Sequence, residues 1–303
     1  MRAKDSNGRS LADALSRAAP RRPLALDGAT GTGLMALAPD VDPARGLERL
    51  CAEAPDVVSA LHEEHLRAGC DLVRTNTFCG SAPELEAVGL GGRARDLARR
   101  AAELARGAIA RAGALDRYVV GVVGPGRGNA EEVDPRTLQE AERGRMEGLA
   151  EGGADALLVE TVTSLRRARA AAAAAREVAP DLPLLVSATV SAEGRLLDGS
   201  SLQDLDGLGR ATGAALLALN CAAGPESMTR PLAALRSAWS GPLGAWPNAG
   251  IPTVVDGVLR WPARPEELAA WCGAAAARHD LRIVGGCCGT TSEHVRAITD
   301  ALV

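Results

Sequence analysis

The segment ADALLVETVTSLRRARAAAAAAREV (residues 154–178) contains the pattern that decides the fold. It begins with a short, continuous apolar run and continues into a longer stretch rich in Ala and Arg. An uninterrupted apolar run of this length is typical of a strand buried on both faces of a parallel sheet, and the second part is typical of the helix that crosses back over the sheet. The segment therefore predicts one strand–helix unit.

The same unit recurs along the whole chain. Apolar runs predict strands at residues 24–27, 71–75, 119–123, 156–160, 184–189, 215–220, 242–246 and 282–285. The clearest helices are predicted at residues 83–112, with a break at 89–92, and at 135–151, 164–178, 226–239, 265–279 and 291–302. Because no linker of different composition interrupts the alternation, we predict a single (β/α)₈ TIM barrel over residues 22–303, preceded by a flexible arm at residues 1–21.

Composition excludes several classes of function. The chain has 34 Lys+Arg against 38 Asp+Glu, a net charge of −4, and its Arg residues are scattered, which argues against a nucleic-acid partner. Lys4 is the only lysine and lies in the predicted arm, so Schiff-base chemistry in the barrel is excluded. No apolar run is long enough for a membrane helix, and an odd number of cysteines without a secretory signal favours a reduced, cytoplasmic protein. His62 and His65 are predicted to lie on a solvated helix face.

Polar residues and thiols follow the predicted strands at their carboxyl ends, where TIM barrels build active sites. The longest loops, residues 30–54 and 247–264, are predicted at the same face. The candidate residues at these strand ends are Asp27, Gly28, Asn76, Glu160, Thr189, Asn220, Cys221, Asn248, Cys287 and Cys288. Two alternatives remain open at this point: Glu160 as a cap of the next helix, and Asp27 and Asn76 as turn residues that bond their own backbone.

Three of the cysteines form a candidate metal site. In GGCCG (residues 285–289) the flanking glycines permit a turn that aims the sulfurs of Cys287 and Cys288 at one point, and Cys221 at the end of the sixth strand can supply a third thiolate. Three protein ligands leave one tetrahedral position of Zn²⁺ open, as in catalytic zinc sites. The alternatives are a vicinal disulfide, or cysteines buried as small apolar side chains. The latter is our prediction for the other four cysteines, Cys51, Cys70, Cys79 and Cys272.

These motifs resemble those of the homocysteine S-methyltransferase family of zinc-dependent barrels. The matching segments are LDGATGTGL (residues 26–34), AGCDLVRTNTF (68–78), VVGPG (122–126), GGADALLVET (152–161), LNCAAGP (219–225), WPNAGIP (246–252) and VGGCCGTTSEHV (284–295). The resemblance covers residues 22–303, and its most specific part is the pairing of LNC with GGCCGTT.

The resemblance implies roles for the candidate residues. Cys221, Cys287 and Cys288 would bind Zn²⁺, and Glu160 and Asp27 would hold the amino group of homocysteine. Asn248 would give zinc a carboxamide oxygen or make a polar contact, and Gly28, Asn76, Thr189 and Asn220 would contribute further substrate contacts. The implied activity is transfer of an activated methyl group to the thiolate of homocysteine, which gives methionine.

The methyl donor is less well specified by the sequence. Few aromatic residues are available for a quaternary-ammonium cage, which disfavours betaine. A sulfonium donor, S-methylmethionine or S-adenosylmethionine, therefore fits best, whereas a methylcobalamin donor would require a separate carrier protein. The segment GPGRGNAEEVDPRTLQEAER (residues 124–143) departs from the family pattern, which leaves open another thiol or selenol acceptor with altered contacts around residues 127–132. A zinc-barrel subunit that acts only with a corrinoid or other methyl-carrier protein is the remaining alternative.

Overall fold

A computed structural model describes residues 10–16, 22–255 and 258–302. Its main sheet has eight strands: β1 (Leu24–Ala25), β2 (Leu72–Arg74), β3 (Tyr118–Val123), β4 (Ala156–Val162), β5 (Leu184–Ala188), β6 (Leu216–Cys221), β7 (Leu243–Pro247) and β10 (Leu281–Val284). Every neighbouring pair is parallel, and a parallel bridge between Leu26 and Leu72 joins the first strand to the second. The predicted (β/α)₈ TIM barrel is confirmed.

One helix, α1 (Leu11–Leu15), precedes the first strand, and the helices that follow the strands surround the sheet as a crossover topology requires. The latter are α2 (Thr30–Leu37), α3 (Leu50–Glu53), α4 (Pro55–Arg67), α5 (Ala82–Ala87), α6 (Ala94–Arg111), α7 (Pro135–Glu151), α8 (Leu165–Val178), α9 (Leu202–Thr212), α10 (Pro225–Ala238), α11 (Pro265–His279) and α12 (Ser292–Ala301). In α8, Ser164 caps the first turn, and most of the alanines of this helix are buried in the apolar core. Among the described residues, no helix is long and apolar enough to cross a membrane.

Both loops predicted to be long contain regular structure. Residues 30–54 hold α2, α3 and two short 3₁₀ turns, and residues 247–264 hold an antiparallel hairpin of β8 (Thr253–Val255) and β9 (Val258–Arg260). The sequence did not predict α2 because glycines, such as those of GATGTG (residues 28–33), are unfavourable in helices. Gly33 is nevertheless required in α2. A Cβ at this position would lie 2.7 Å from the side chain of Leu61, so glycine lets α2 pack closely on α4.

The described part of the expected N-terminal arm is helical. Ser10 caps α1, and Leu11 and Leu15 are each 1% exposed and belong to the apolar cluster that fills the barrel interior. Residues 1–9 and 17–21 lie outside the described residues. The arm therefore includes one packed helical turn, and its boundary with the barrel at residue 21 stays a prediction.

The prediction for His62 and His65 was wrong, because both imidazoles are buried on the inner face of α4, 1% and 2% exposed. Leu61 and Leu66 flank them on the same buried face, and this amphipathic spacing outweighs the polar character of the local HEEH sequence. Burial lowers the pKa of His62 to about 4 and that of His65 to about 3, so both rings are neutral.

Candidate metal centre and active site

Three cysteine sulfurs meet at the carboxyl end of the barrel. Cys221 is the last residue of β6, and Cys287 and Cys288 follow β10. The Sγ atoms of Cys221 and Cys287 are 3.0 Å apart, and the three sulfurs all lie within 4.8 Å of one another. None of the three is in a disulfide. Among the described residues, this is the one group of three or more Cys, His, Asp or Glu side chains close enough to share a metal ion.

The backbone around these cysteines is strained. Cys221 and Ala222 have φ of 58° and 57°, and Thr161 at the end of β4 has φ of 60°. Non-glycine residues rarely adopt this left-handed conformation, which costs about 1 kcal/mol or more per residue and is concentrated at functional sites. At Gly286, a Cβ would lie 2.4 Å from the side chain of Thr290, so only glycine permits the tight turn before Cys287.

Two asparagines hold the cysteine loops together. The Nδ2 of Asn248 donates to the carbonyl oxygen of Ala222 (2.9 Å), and its Oδ1 accepts from the N–H of Cys288 (2.9 Å). Both ends of this carboxamide are therefore engaged by backbone. The Nδ2 of Asn220 donates to the Oγ1 of Thr161 (2.7 Å) and lies 3.2 Å from the Sγ of Cys221. An N–H directed at sulfur favours the thiolate form.

The electrostatics of the cysteine group favour a negatively charged sulfur. The Cys288 sulfur accepts hydrogen bonds from Cys221 and Cys287, which lowers the pKa of Cys288 to about 3. The same hydrogen bonding raises the pKa of Cys221, because its proton is shared with its neighbours. Three soft sulfur donors with one thiolate already favoured are the donor set that Zn²⁺ prefers, so these residues fit a zinc ion.

Arg74, which sequence reasoning missed, organises the floor of the site. This side chain is 4% exposed, and its Nε donates to the Oδ1 of Asp27 (2.7 Å) while its Nη1 donates to the Oε1 of Glu160 (2.7 Å). Its Nη2 donates to three carbonyl oxygens, those of Asp27, Gly28 and Gly286. One guanidinium thus ties β1, β4 and the cysteine turn after β10 to β2.

Glu160 and Asp27 are both buried carboxylates that pair with the Arg74 guanidinium, and each accepts one further hydrogen bond. The Oδ2 of Asp27 accepts the backbone N–H of Arg74 (2.8 Å), and Asp27 is 0% exposed. The Oε1 of Glu160 also accepts from the Nε1 of Trp246 (3.0 Å). Burial raises the pKa of both carboxyl groups, and the charge of Arg74 opposes that rise.

A cavity of about 340 Å³ opens onto the cysteines. It is lined by Ala29, Thr30, Gly31, Thr32, Met35, Pro43, Gly46, Leu47, Glu48, Arg74, Thr75, Asn76, Phe78, Cys79, Glu84, Val88, Val122, Arg127, Glu160, Thr161, Cys221, Cys287 and Cys288. The inner end carries the sulfurs, Arg74 and Glu160, whereas the rest combines the apolar side chains of Met35, Phe78 and Val88 with the charged side chains of Glu48, Glu84 and Arg127. A polar reacting end beside apolar side chains is typical of small-molecule sites.

The cavity contains some of the predicted site residues and not others. Glu160, Asn76 and the three cysteines line it, and the Nδ2 of Asn76 donates to the carbonyl oxygen of Leu47 (2.8 Å). The predicted residues that do not line the cavity are Asp27, Gly28, Thr189, Asn220 and Asn248. Thr189 supports the Cys221 loop through its Oγ1, which accepts the N–H of Ala222 at 3.4 Å.

Known proteins match this chain both in sequence and in structure. The family model for homocysteine S-methyltransferase matches residues 24–302. The chain is 34% identical over 289 residues to methionine synthase of Mycobacterium leprae and 34% identical over 308 residues to that of Mycobacterium tuberculosis. These matches cover 91% and 96% of this chain but 24% and 25% of those enzymes, so the chain spans about a quarter of the length of these relatives.

Among solved structures, the metallated form of the homocysteine methyltransferase MmuM from Escherichia coli matches with a TM-score of 0.78 and 26% identity, over 92% of this chain and 96% of that one. Its oxidized form matches equally well, with a TM-score of 0.78 and 26% identity. The family match spans nearly all of the barrel, including both cysteine loops. The chain therefore belongs to the homocysteine S-methyltransferase family.

Proposed function

We propose that this barrel transfers a methyl group from a small sulfonium donor to the thiolate of homocysteine, with Zn²⁺ bound by Cys221, Cys287 and Cys288. The observation that carries this proposal is the cluster of three free thiols at the inner end of a cavity, beside the buried pair of Arg74 and Glu160. A zinc ion at these sulfurs would lower the pKa of a thiol bound in its open position, which supplies a thiolate at neutral pH.

The reaction needs little acid–base chemistry from the protein. The lone pair of the homocysteine sulfur attacks the methyl carbon in line, a new S–C bond forms, and the bond from that carbon to the donor sulfur breaks. The electron pair of the broken bond stays on the donor, which leaves as a neutral thioether. The protein's contribution is orientation and the exclusion of water, both of which raise the reactivity of a thiolate.

The buried polar residues support this role by holding the acceptor. Glu160 lines the cavity and uses Oε1 for Arg74 and Trp246, so its Oε2 is the atom we assign to the homocysteine ammonium group. Asp27 is covered, so we assign it to orienting Arg74 rather than to direct contact. Asn248 and Asn220 act on the cysteine loops in the same indirect way.

The proposal is tested by a methyl-transfer assay on protein purified without chelator, with zinc measured on the same sample. Homocysteine is supplied with S-methylmethionine, S-adenosylmethionine or betaine in separate reactions, and methionine is detected by mass. Methionine from a sulfonium donor, lost on chelation and restored by Zn²⁺, supports the proposal. Stoichiometric zinc without methionine from any donor contradicts it and favours another thiol or selenol acceptor, or a separate methyl-carrier protein.

A further inference from the structure

We propose that Arg127 binds the carboxylate of the methyl donor and so selects donors that carry one. This inference rests on the proposed methyl transfer. Arg127 is exposed and lines the same cavity as the cysteines. Among the described residues, none forms an ion pair or side-chain hydrogen bond with its guanidinium, which is therefore available to a ligand.

The turn that carries Arg127 is held in place through its backbone carbonyl groups. Gly126 and Gly128 flank it with φ of 69° and 77°, a left-handed conformation that favours glycine on both sides. The guanidinium of Arg167 on α8 donates to the carbonyl oxygens of Arg127 and Gly128. Because the backbone is fixed from the α8 side, the Arg127 side chain is presented to the cavity at a reduced entropic cost of binding.

The charges that line the cavity explain why the carboxylate of a methyl donor would require Arg127 for binding. Three carboxylates line the cavity, those of Glu48, Glu84 and Glu160. The other lining cation, Arg74, is already paired with Asp27 and Glu160. A ligand carboxylate would meet net repulsion unless a second cation offsets it, and among the described lining residues Arg127 is the cation left to do so.

The charges of Glu48, Glu84 and Arg127 all act on the thiol of Cys79, so they lie in the same region of the cavity. Burial, together with the charges of Glu48 and Glu84, raises the pKa of Cys79 to about 11, and the charges of Arg127 and Arg145 oppose that rise. The backbone N–H of Cys79 donates to the Oε1 of Glu48 at 2.7 Å. Arg127 and the two carboxylates therefore surround the same part of the cavity, where a ligand with both signs of charge is complementary.

The direction of methyl transfer assigns this region to the donor. The acceptor sulfur belongs at the three cysteines, and in-line attack requires the methyl group to point toward it from the open side. The remainder of the donor then extends away from the cysteines, into the part of the cavity lined by Cys79 and Arg127. A charge-assisted, bidentate pair with a carboxylate is the interaction for which a guanidinium is best suited.

The test compares two donors on wild-type protein and three variants, all loaded with zinc. The donors are S-methylmethionine and its α-carboxamide analogue, which lacks the carboxylate. The variants are Arg127→Gln, Arg127→Lys and a control, Arg136→Gln, which changes an exposed arginine nearby on α7. We expect Arg127→Gln to raise the KM for S-methylmethionine about 10- to 100-fold, with kcat and the KM for homocysteine nearly unchanged.

The carboxamide donor separates recognition from a general effect on the loop. Arg127→Gln should leave its KM within about twofold, Arg127→Lys should retain part of the affinity for S-methylmethionine, and Arg136→Gln should behave as wild type. An equal loss with both donors, or no loss with either, overturns the assignment.

Binding of S-methylmethionine by calorimetry, without acceptor, distinguishes this assignment from the proposed function. Binding to wild type that is lost in Arg127→Gln supports the Arg127 assignment even if no methyl transfer occurs, and that absence contradicts only the proposed function. A wild-type protein that neither binds S-methylmethionine nor uses it overturns the assignment.

Discussion

Replacing Arg74 with methionine removes the one cation buried between Asp27 and Glu160 while keeping a long side chain in the core. The guanidinium makes ion pairs of 2.7 Å with each carboxylate and donates to three carbonyl oxygens, all in a region at most a few per cent exposed. Breaking a buried ion pair from one side costs about 3–5 kcal/mol because the partner charge is left uncompensated. We therefore expect Arg74→Met to lower the free energy of unfolding by about 3–5 kcal/mol at pH 8.

The loss should depend on pH in a definite direction. Burial already raises the pKa of Asp27 and Glu160, and Arg74 opposes that rise, so its removal raises both folded-state values further. Between the unfolded pKa, about 4, and the higher folded value, the native variant holds protons that the unfolded chain has released. The variant's stability then falls as pH rises through this window. Its deficit relative to wild type should be smaller at pH 5 than at pH 8.

Urea unfolding of metal-free protein at the two pH values measures this effect directly. The matched control is Arg95→Met, because Arg95 also pairs with two carboxylates, Glu147 and Glu151, but is 57% exposed. We expect the control to lose far less stability, since solvent screens exposed pairs. A loss below about 1 kcal/mol in Arg74→Met, or equal losses in both variants, would refute the reasoning.

Three further predictions concern the metal, the acceptor and the buried histidines. Cys287→Ser should lose most bound zinc, because an alcohol replaces a thiolate poorly; full zinc by elemental analysis would remove Cys287 from the ligand set. Glu160→Gln should keep its zinc but raise the KM for homocysteine about tenfold or more, and an unchanged KM would exclude contact with the ammonium group. Wild type should lose stability as pH falls from the unfolded histidine pKa of 6.5 toward the folded values of about 4 and 3 for His62 and His65, by about 2 kcal/mol per ring at pH 5. His62→Gln should show a correspondingly smaller pH dependence in urea unfolding, and an equal dependence would place the ring in solvent.

The fold was predictable because its signal is local. Continuous apolar runs such as residues 156–160 mark strands buried on both faces, and each observed barrel strand lies within about two residues of its predicted bounds. The cysteine site was predictable for a related reason. Carboxyl ends of parallel strands share one face of a barrel, so GGCCG and LNC had to meet there once the strand order was known.

The contacts inside the site were not predictable because they join distant parts of the chain. Arg74 reaches carboxylates 47 and 86 residues away, and nothing near it in sequence indicates which way its side chain points. The sequence did contain one indication of this contact. Arg74 is a single arginine in a mostly apolar strand, and Asp27 and Glu160 are acidic residues at the ends of two other strands. For Asn248, sequence alone did not reveal that backbone groups occupy both ends of its carboxamide.

The most direct test of the account is the yield of methionine from homocysteine and S-methylmethionine by the zinc-loaded chain. Its control is the Cys221→Ser/Cys287→Ser/Cys288→Ser variant, analysed for bound zinc in parallel. We predict about one zinc per chain and continuous turnover in wild type, with neither in the variant. Turnover by the triple variant, or turnover by wild type that survives complete removal of zinc, would contradict the central claim that these three sulfurs and their metal activate the acceptor thiol.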